Sequence, residues 1–231
     1  MEVGKKLLAV ELLRTLKNSM KYREMEALFG LPSPVLSRYI SGKVLPGPER
    51  ASEIVSTALP VVRKLIKEKI EVVEPEHRVF SDVKLVSDTN LLKICAKIIA
   101  SGFEGVRVKA VLTKETAGIP VASLLASELG AKLVIARKSK EVGMEEWIET
   151  RRIFREGTYT YLYTPKELLK NSRVVICDIG IRTGSTFRAL YHACEKARAR
   201  VVGAGFVITV GRIASNISSE YSIPVVTIVQ L

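Results

Sequence analysis

The sequence predicts an α/β domain built on a mainly parallel sheet with helices on both faces, preceded by a small all-α domain. Three observations carry this. Beyond residue 81 short apolar runs alternate with amphipathic segments of helical period, and several runs are apolar throughout, as strands buried on both faces are. Before residue 70 the apolar residues recur at helical spacing with no β-rich run among them. Between the two lies "EKIEVVEPEHR", whose Pro75 and alternating charges mark a boundary. The expected organisation is therefore residues 1–70, a linker over 71–80, and 81–231.

In the first part Leu8, Leu12 and Leu16 place one apolar stripe on a helix ending near Asn18. Met25, Leu28 and Phe29 supply the face of a second, short helix that stops at Gly30. A third helix has Ser33 as N-cap, Pro34 at its first position and Gly42 as its stop. Val35, Leu36, Tyr39 and Ile40 form its inward face, which turns Ser37, Arg38 and Ser41 outward with Lys43 just beyond. Short polar groups allow close approach to a groove while Arg reaches a base edge or a phosphate. The stretch from Tyr22 to Ser41 resembles a phage-repressor helix-turn-helix, and that resemblance makes Ser33, Ser37, Arg38, Ser41 and Lys43 the candidate DNA contacts. An ordinary helical hairpin with solvated Ser and Arg is the plain alternative. Two further helices are expected, one after Pro48 and one after Pro60.

The second part offers six strand-like runs: "VRVKAVL", "KLVIAR", "YTYLY", "RVVICDI", "RVVGAGFVIT" and "PVVTIVQ". Ligands of such sheets bind where the strands end, so the loops after these runs are the places to search. In "VVICDIGIRTGSTFRAL" an apolar strand ends in Asp178, a small-residue loop follows, and then a helix begins. Arg182, Thr183, Gly184, Ser185 and Thr186 can offer converging backbone N–H groups, hydroxyls and a helix amino terminus to a phosphate. Asp178 can accept hydrogen bonds from the hydroxyls of a ribose.

This arrangement resembles the type I phosphoribosyltransferase family over residues 80–231. The segment "KETAGIPVASLLASELG" is similar to the family's pyrophosphate loop and its helix, and "IARKSK" to the start of its flexible loop. The resemblance assigns the 5′-phosphate and ribose to Asp178, Arg182, Thr183, Gly184, Ser185 and Thr186. It assigns pyrophosphate to Lys114, Glu115, Thr116, Ala117, Arg137, Lys138 and Lys140. Among relatives these segments look most like xanthine phosphoribosyltransferases and the purine-repressor group. Mg²⁺ is implied only as a companion of the pyrophosphate, with no metal held by protein side chains.

One departure bears on activity. Ile179 stands where the enzymes carry a second acid, and the loss of one carboxylate removes a charge-assisted hydrogen bond of roughly 1.5–3 kcal/mol. The expectation is a DNA-binding transcription regulator of nucleotide metabolism, similar to archaeal regulators that combine these two modules. It senses phosphoribosyl pyrophosphate or a nucleotide as a homodimer, and no residue is assigned a catalytic role. The alternative is an active purine or orotate phosphoribosyltransferase with an accessory helical domain. A third reading makes the helical part a protein-interaction or dimerisation element.

Composition bounds these readings. With 47% hydrophobic and 26% charged residues a packed core is expected and disorder is not. The apolar stretch from Leu7 to Leu16 is broken by Glu11 and Arg14, so a soluble, cytoplasmic protein without membrane contact is expected. The net charge of +12 favours an anionic partner, and its division into 14 basic and 10 acidic residues over 1–80 leaves most of the surplus in the second part. Cys95, Cys177 and Cys194 lie in apolar segments without metal spacing and read as buried thiols. The charged segment 139–157, with Arg151, Arg152 and Arg155, is expected as a lid or a solvated loop. Tyr159, Tyr161 and Tyr163 are expected on one packed strand face, and His77 and His192 have no catalytic partner in the sequence.

Overall fold

A computed structural model describes residues 2–74, 79–154 and 157–231. The chain divides into two compact units, Met1–Ile70 and Glu71–Leu231.

The first unit holds α1 (Glu2–Lys17), α2 (Tyr22–Phe29), α3 (Ser33–Ile40) and α4 (Pro48–Glu68). Its core is the stripe Ala9, Leu12, Leu13 and Leu16 of α1, packed with Met25, Leu36 and the inner face of α4. The two helices expected on either side of Pro60 are one. Ala51, Ile54, Ala58, Val62 and Ile66 run as an unbroken buried stripe, while Pro60 lies on the exposed side. An internal proline costs about 3 kcal/mol. Burying Ile54, Val62 and Ile66 returns roughly 1.5–3 kcal/mol each, so packing outweighs the lost hydrogen bond.

The short helix α3 is tied at both ends. Pro32 occupies its N-cap and Ser33 is already helical, one position earlier than the sequence implies. Glu26 reaches this end of the helix, where its Oε1 accepts the Ser33 backbone N–H at 2.5 Å, a first-turn donor that has no partner within the helix. Hydrogen bonds from the Ser33 hydroxyl and backbone N–H hold the Glu26 carboxyl below its ordinary range. At the other end Arg14 Nε donates to the Ile40 carbonyl at 2.7 Å.

The second unit begins with β1 (Glu71–Glu74) and β2 (Val79–Ser81), which pair antiparallel. The segment expected as a linker thus contributes two strands, because Val72 and Phe80 find register partners there. Pro75 and His77 lie outside the described residues. Then follow α5 (Val83–Val86), α6 (Thr89–Ser101), β3 (Ala110–Lys114), α7 (Ile119–Leu129) and β4 (Lys132–Ala136). Next come β5 (Trp147–Ile153), β6 (Tyr159–Pro165), α8 (Lys166–Leu169) and β7 (Arg173–Ile181). The chain ends with α9 (Ser185–Lys196), β8 (Arg200–Thr209), α10 (Ile213–Tyr221) and β9 (Val225–Gln230).

The five-stranded sheet is parallel throughout, in the order β4-β3-β7-β8-β9. Ala110, Leu112, Val174, Ile176 and Phe206 face Phe187 and Leu190 of α9 in one core cluster. Helices α6 and α7 cover the other face, and the three cysteines are buried free thiols. No helix among the described residues is long and apolar enough to cross a membrane.

Two expectations about the segment between β4 and β7 need correction. The supposed lid over 139–157 contains β5, which pairs with β6 in a regular antiparallel hairpin; Arg155 lies outside the described residues. The packed face of that hairpin is Ile148, Thr150, Leu162 and Thr164, whereas Tyr159 is 53% exposed. The tyrosines stand on the outer face, where their rings contact one another and Arg151. Strand alternation decides this. With Leu162 turned inward, its neighbours Tyr161 and Tyr163 must turn out.

Candidate functional site: a cleft at the β3–β7 switch point

The strand order reverses between β3 and β7, since β3 leads to β4 on one side and β7 to β8 on the other. A crevice opens beyond the strand ends at such a point. Pairing between β3 and β7 stops at Leu112 and Ile176, while β7 continues to Ile181 along β8. Asp178 therefore lies inside β7 rather than at its end, with its β3 flank free of sheet hydrogen bonds.

The loop between β7 and α9 forms one wall. Gly184 is the N-cap of α9 at φ +76°, a conformation that L side chains rarely adopt, and a Cβ there would stand 2.8 Å from Arg188 Nη1. The Thr183 hydroxyl donates to Ser185 Oγ at 3.1 Å and receives the Ser185 N–H at 3.4 Å. Arg188 braces the turn from behind, donating to the Thr183 carbonyl at 3.1 Å and pairing with Glu220 at 3.1 Å. The loop thereby presents hydroxyls and the amino end of α9 to a pocket lined by Arg152, Asp178, Arg182, Thr183, Ser185 and Thr186.

A second, adjoining open hollow of about 280 Å³ is lined by Phe80, Asp82, Lys114, Glu115, Arg152 and Asp178, together with Thr116, Ala117, Gly118, Arg182 and Thr186. Asp178 and Arg152 belong to both, so the two form one cleft. The turn after β3 lies against Asp178, and Glu115 Oε1 accepts the Lys138 backbone N–H at 2.9 Å. Burial pushes the Asp178 carboxyl up to about 6 against the pull of the Ile179 N–H and of Lys114. Burial also lowers Lys114, and the neighbouring Arg152 acts in the same direction.

Of the residues predicted from sequence, Asp178, Arg182, Thr183, Gly184, Ser185, Thr186, Lys114, Glu115, Thr116 and Ala117 are brought together here. Arg137, Lys138 and Lys140 do not line the cleft. Arg137 pairs with Glu141 at 2.6 Å, and Lys140 lies over the Tyr163 ring. Ser37, Arg38, Ser41 and Lys43 are exposed in the first unit, and Ser33 is half-buried. His192 is exposed beside Glu195 at 2.7 Å, a surface pairing.

Arg152 is a site residue that the sequence places among loop charges. The signal was the alternation in "WIETRRI", where position 152 shares a face with the buried Ile148 and Thr150 while position 151 points out.

Residues 84–229 match the sequence profile described as the phosphoribosyl transferase domain. The chain belongs to this family. Its phosphoribosyl transferase domain is similar to the xanthine phosphoribosyltransferases of Streptococcus uberis, 29% identical over 124 residues, and Streptococcus pyogenes serotype M3, 30% identical over the same length. Each alignment covers 52% of this chain and 64% of the relative. Among solved structures, adenine phosphoribosyltransferase from Rhodothermus marinus superposes with a TM-score of 0.62 at 22% identity, over 74% of this chain and 99% of that one. The enzyme from Trypanosoma brucei, in complex with AMP, pyrophosphate and ribose-5-phosphate, gives 0.64 at 17% identity, over 73% and 79%. At these identities the structures establish the fold of the phosphoribosyl transferase domain.

Proposed function

We propose that the cleft takes a 5-phosphoribosyl ligand. Its 5′-phosphate sits in the loop of Thr183, Gly184, Ser185 and Thr186, its ribose against Asp178, and its diphosphate toward Lys114, Glu115, Thr116 and Ala117. One observation carries this reading: the hydroxyl loop at the amino end of α9 and the lone carboxyl of Asp178 line the same pocket. A dianion and a sugar diol joined in one molecule match such a pair of partners.

The family, and the xanthine and adenine relatives, support transfer of the phosphoribosyl group to a purine base as the activity of this cleft. In that reaction the base nitrogen bonds to ribose C1 as diphosphate leaves, and the helical unit is an addition to a catalyst. Lys114 is suited to neutralise the departing diphosphate, and Asp178 to hold the ribose as positive charge develops on it.

A second reading is favoured by two observations. Ile179 leaves the ribose one carboxylate instead of two, and α3, pinned by Glu26 and Arg14, turns Ser37, Arg38, Ser41 and Lys43 to solvent. In it the chain is a homodimeric, DNA-binding transcription regulator of nucleotide metabolism, of the archaeal two-module kind, and the cleft senses its ligand without transfer. Ground-state affinity suffices for a sensor, whereas an enzyme needs added stabilisation of the transition state.

Product formation from phosphoribosyl pyrophosphate, Mg²⁺ and each purine base separates the two. Wild-type turnover on the order of 1–1000 s⁻¹ is the enzyme outcome. Binding without product, with transfer gained in Ile179→Asp, is the regulator outcome. Failure of phosphoribosyl pyrophosphate to bind refutes both.

A further inference from the structure

Asp178 has less than a whole carboxylate to offer a sugar. Its Oδ1 accepts the Ile179 N–H at 2.8 Å, and the turn at Gly118 rests on the same oxygen. That leaves Oδ2, whereas the vicinal hydroxyls of a ribose bring two donors. A second acceptor has to come from the same hollow, which is lined by the carboxyls of Asp82, Glu115 and Asp178. Glu115 already accepts the Lys138 N–H at 2.9 Å. Asp82 is the acid that remains.

Asp82 stands where β2 passes into α5, and this corner is seated on β7. The Phe80 ring lies on the backbone of Gly180, where a Cβ would stand 2.6 Å from its Cζ. Asp82 occupies the N-cap of α5, yet its side chain makes no cap bond. An aspartate in that position ordinarily accepts a first-turn N–H, as Asp88 does at the head of α6 from Leu91 at 3.0 Å. Asp82 is instead half-buried and lines the hollow beside Asp178. Burial raises its carboxyl against the pull of its own backbone N–H. Its charge in turn adds to the burial that raises Asp178, so the two acids share one space.

We propose that Asp82 is a ligand-binding residue whose carboxylate accepts a hydrogen bond from a ribose hydroxyl next to Asp178, so that acids from two separate segments hold the sugar. The proposal rests on the phosphoribosyl reading above and deepens it. It gives the ribose a second carboxylate although position 179 carries none.

The test is calorimetric titration of the full chain with ribose-5-phosphate and, separately, with inorganic phosphate, for wild type, Asp82→Ala and Asp82→Asn. It is run at about pH 8, where a carboxyl raised to about 6 is ionised and the effect of Asp82 on Asp178 no longer enters. Asp82→Ala is expected to bind ribose-5-phosphate roughly 10- to 100-fold more weakly, as the loss of a charge-assisted hydrogen bond implies. Inorganic phosphate, which has no sugar hydroxyls, is expected to bind no more than about threefold more weakly than to wild type. Asp82→Asn keeps the shape and a neutral acceptor, so it falls between. It carries the comparison if Asp82→Ala does not fold. Wild-type affinity for ribose-5-phosphate in both variants overturns the proposal alone. An equal loss for the two probes does so as well, since an aspartate that only supports the fold would give it. Absence of wild-type binding of ribose-5-phosphate overturns the phosphoribosyl reading and this proposal together.

Discussion

A Cβ built on Gly118 would stand 2.5 Å from Oδ1 of Asp178, so the turn after β3 rests on the carboxyl group with no room for a side chain. The same Cβ would also collide with the Thr113 hydroxyl. Gly118→Ala must push the turn outward or displace Asp178, at a cost of about 1–3 kcal/mol in overpacking. Both the urea midpoint and the affinity for phosphoribosyl pyrophosphate are expected to fall. A variant matching wild type in both would show that the turn does not rest on Asp178.

Asp178 makes the cleft sensitive to pH. Burial raises its carboxyl from 3.8 to about 6. The folded value lies above the unfolded one, so its contribution to stability is fully present below about 3.8 and is lost as pH rises through about 6. Asp178→Asn removes that loss. Relative to wild type the variant should gain stability progressively between those values and hold the gain above them, on the order of 1–3 kcal/mol because the carboxyl opens on a cleft. Denaturant unfolding across pH checks this. Parallel profiles for the two proteins would mean that Asp178 titrates normally.

Ligand affinity should follow the opposite course. Ribose hydroxyls need the ionised carboxylate as acceptor, so wild-type binding of ribose-5-phosphate should strengthen as pH rises through about 6. The phosphate titrates nearby as well, and the ratio of wild-type to Asp178→Asn affinity isolates the protein's share. A ratio constant with pH would remove Asp178 from the ribose.

The hydroxyl loop is open to a direct subtraction. Thr183→Ala with Thr186→Ala removes two donors to a dianion, and also the bond from the Thr183 hydroxyl to Ser185 Oγ. At roughly 1.5–3 kcal/mol for each charged hydrogen bond, the double variant should lose at least tenfold in calorimetric affinity. Equal binding by both proteins would move the phosphate elsewhere.

For the helical unit the measurement is salt dependence. Arg38 is exposed on α3, and Arg38→Ala should weaken binding to a specific duplex by about 1–3 kcal/mol if it reads a base. If it meets a phosphate, the slope against log salt should flatten by about one unit. Unchanged affinity at every salt concentration would count against a recognition helix and favour an interaction element.

What the sequence by itself determined were features that neighbouring residues decide among themselves. The apolar run ending in "VVICD" is a strand at any position in a buried sheet, and Gly184 before a helical period marks the loop that turns into α9. The exposed face of α3 follows from its period, since burying Leu36 turns Ser37, Arg38 and Ser41 outward. The loop order along the chain was equally visible. What only the tertiary structure decided are choices in which a local preference is outweighed or has no local cause. Pro60 is carried through α4 because the stripe from Ala51 to Ile66 packs on both sides of it. Ser33 stands in the first turn of α3, with Pro32 at the cap, where a carboxylate from the preceding helix accepts its otherwise unpartnered N–H. Charged residues 149, 151 and 152 look like loop until Ile148 and Thr150 find a core to cover, and that burial makes β5. Arg152 then enters the cleft because one strand face is shared by everything on it, while Arg151, one residue earlier, turns to the tyrosines outside.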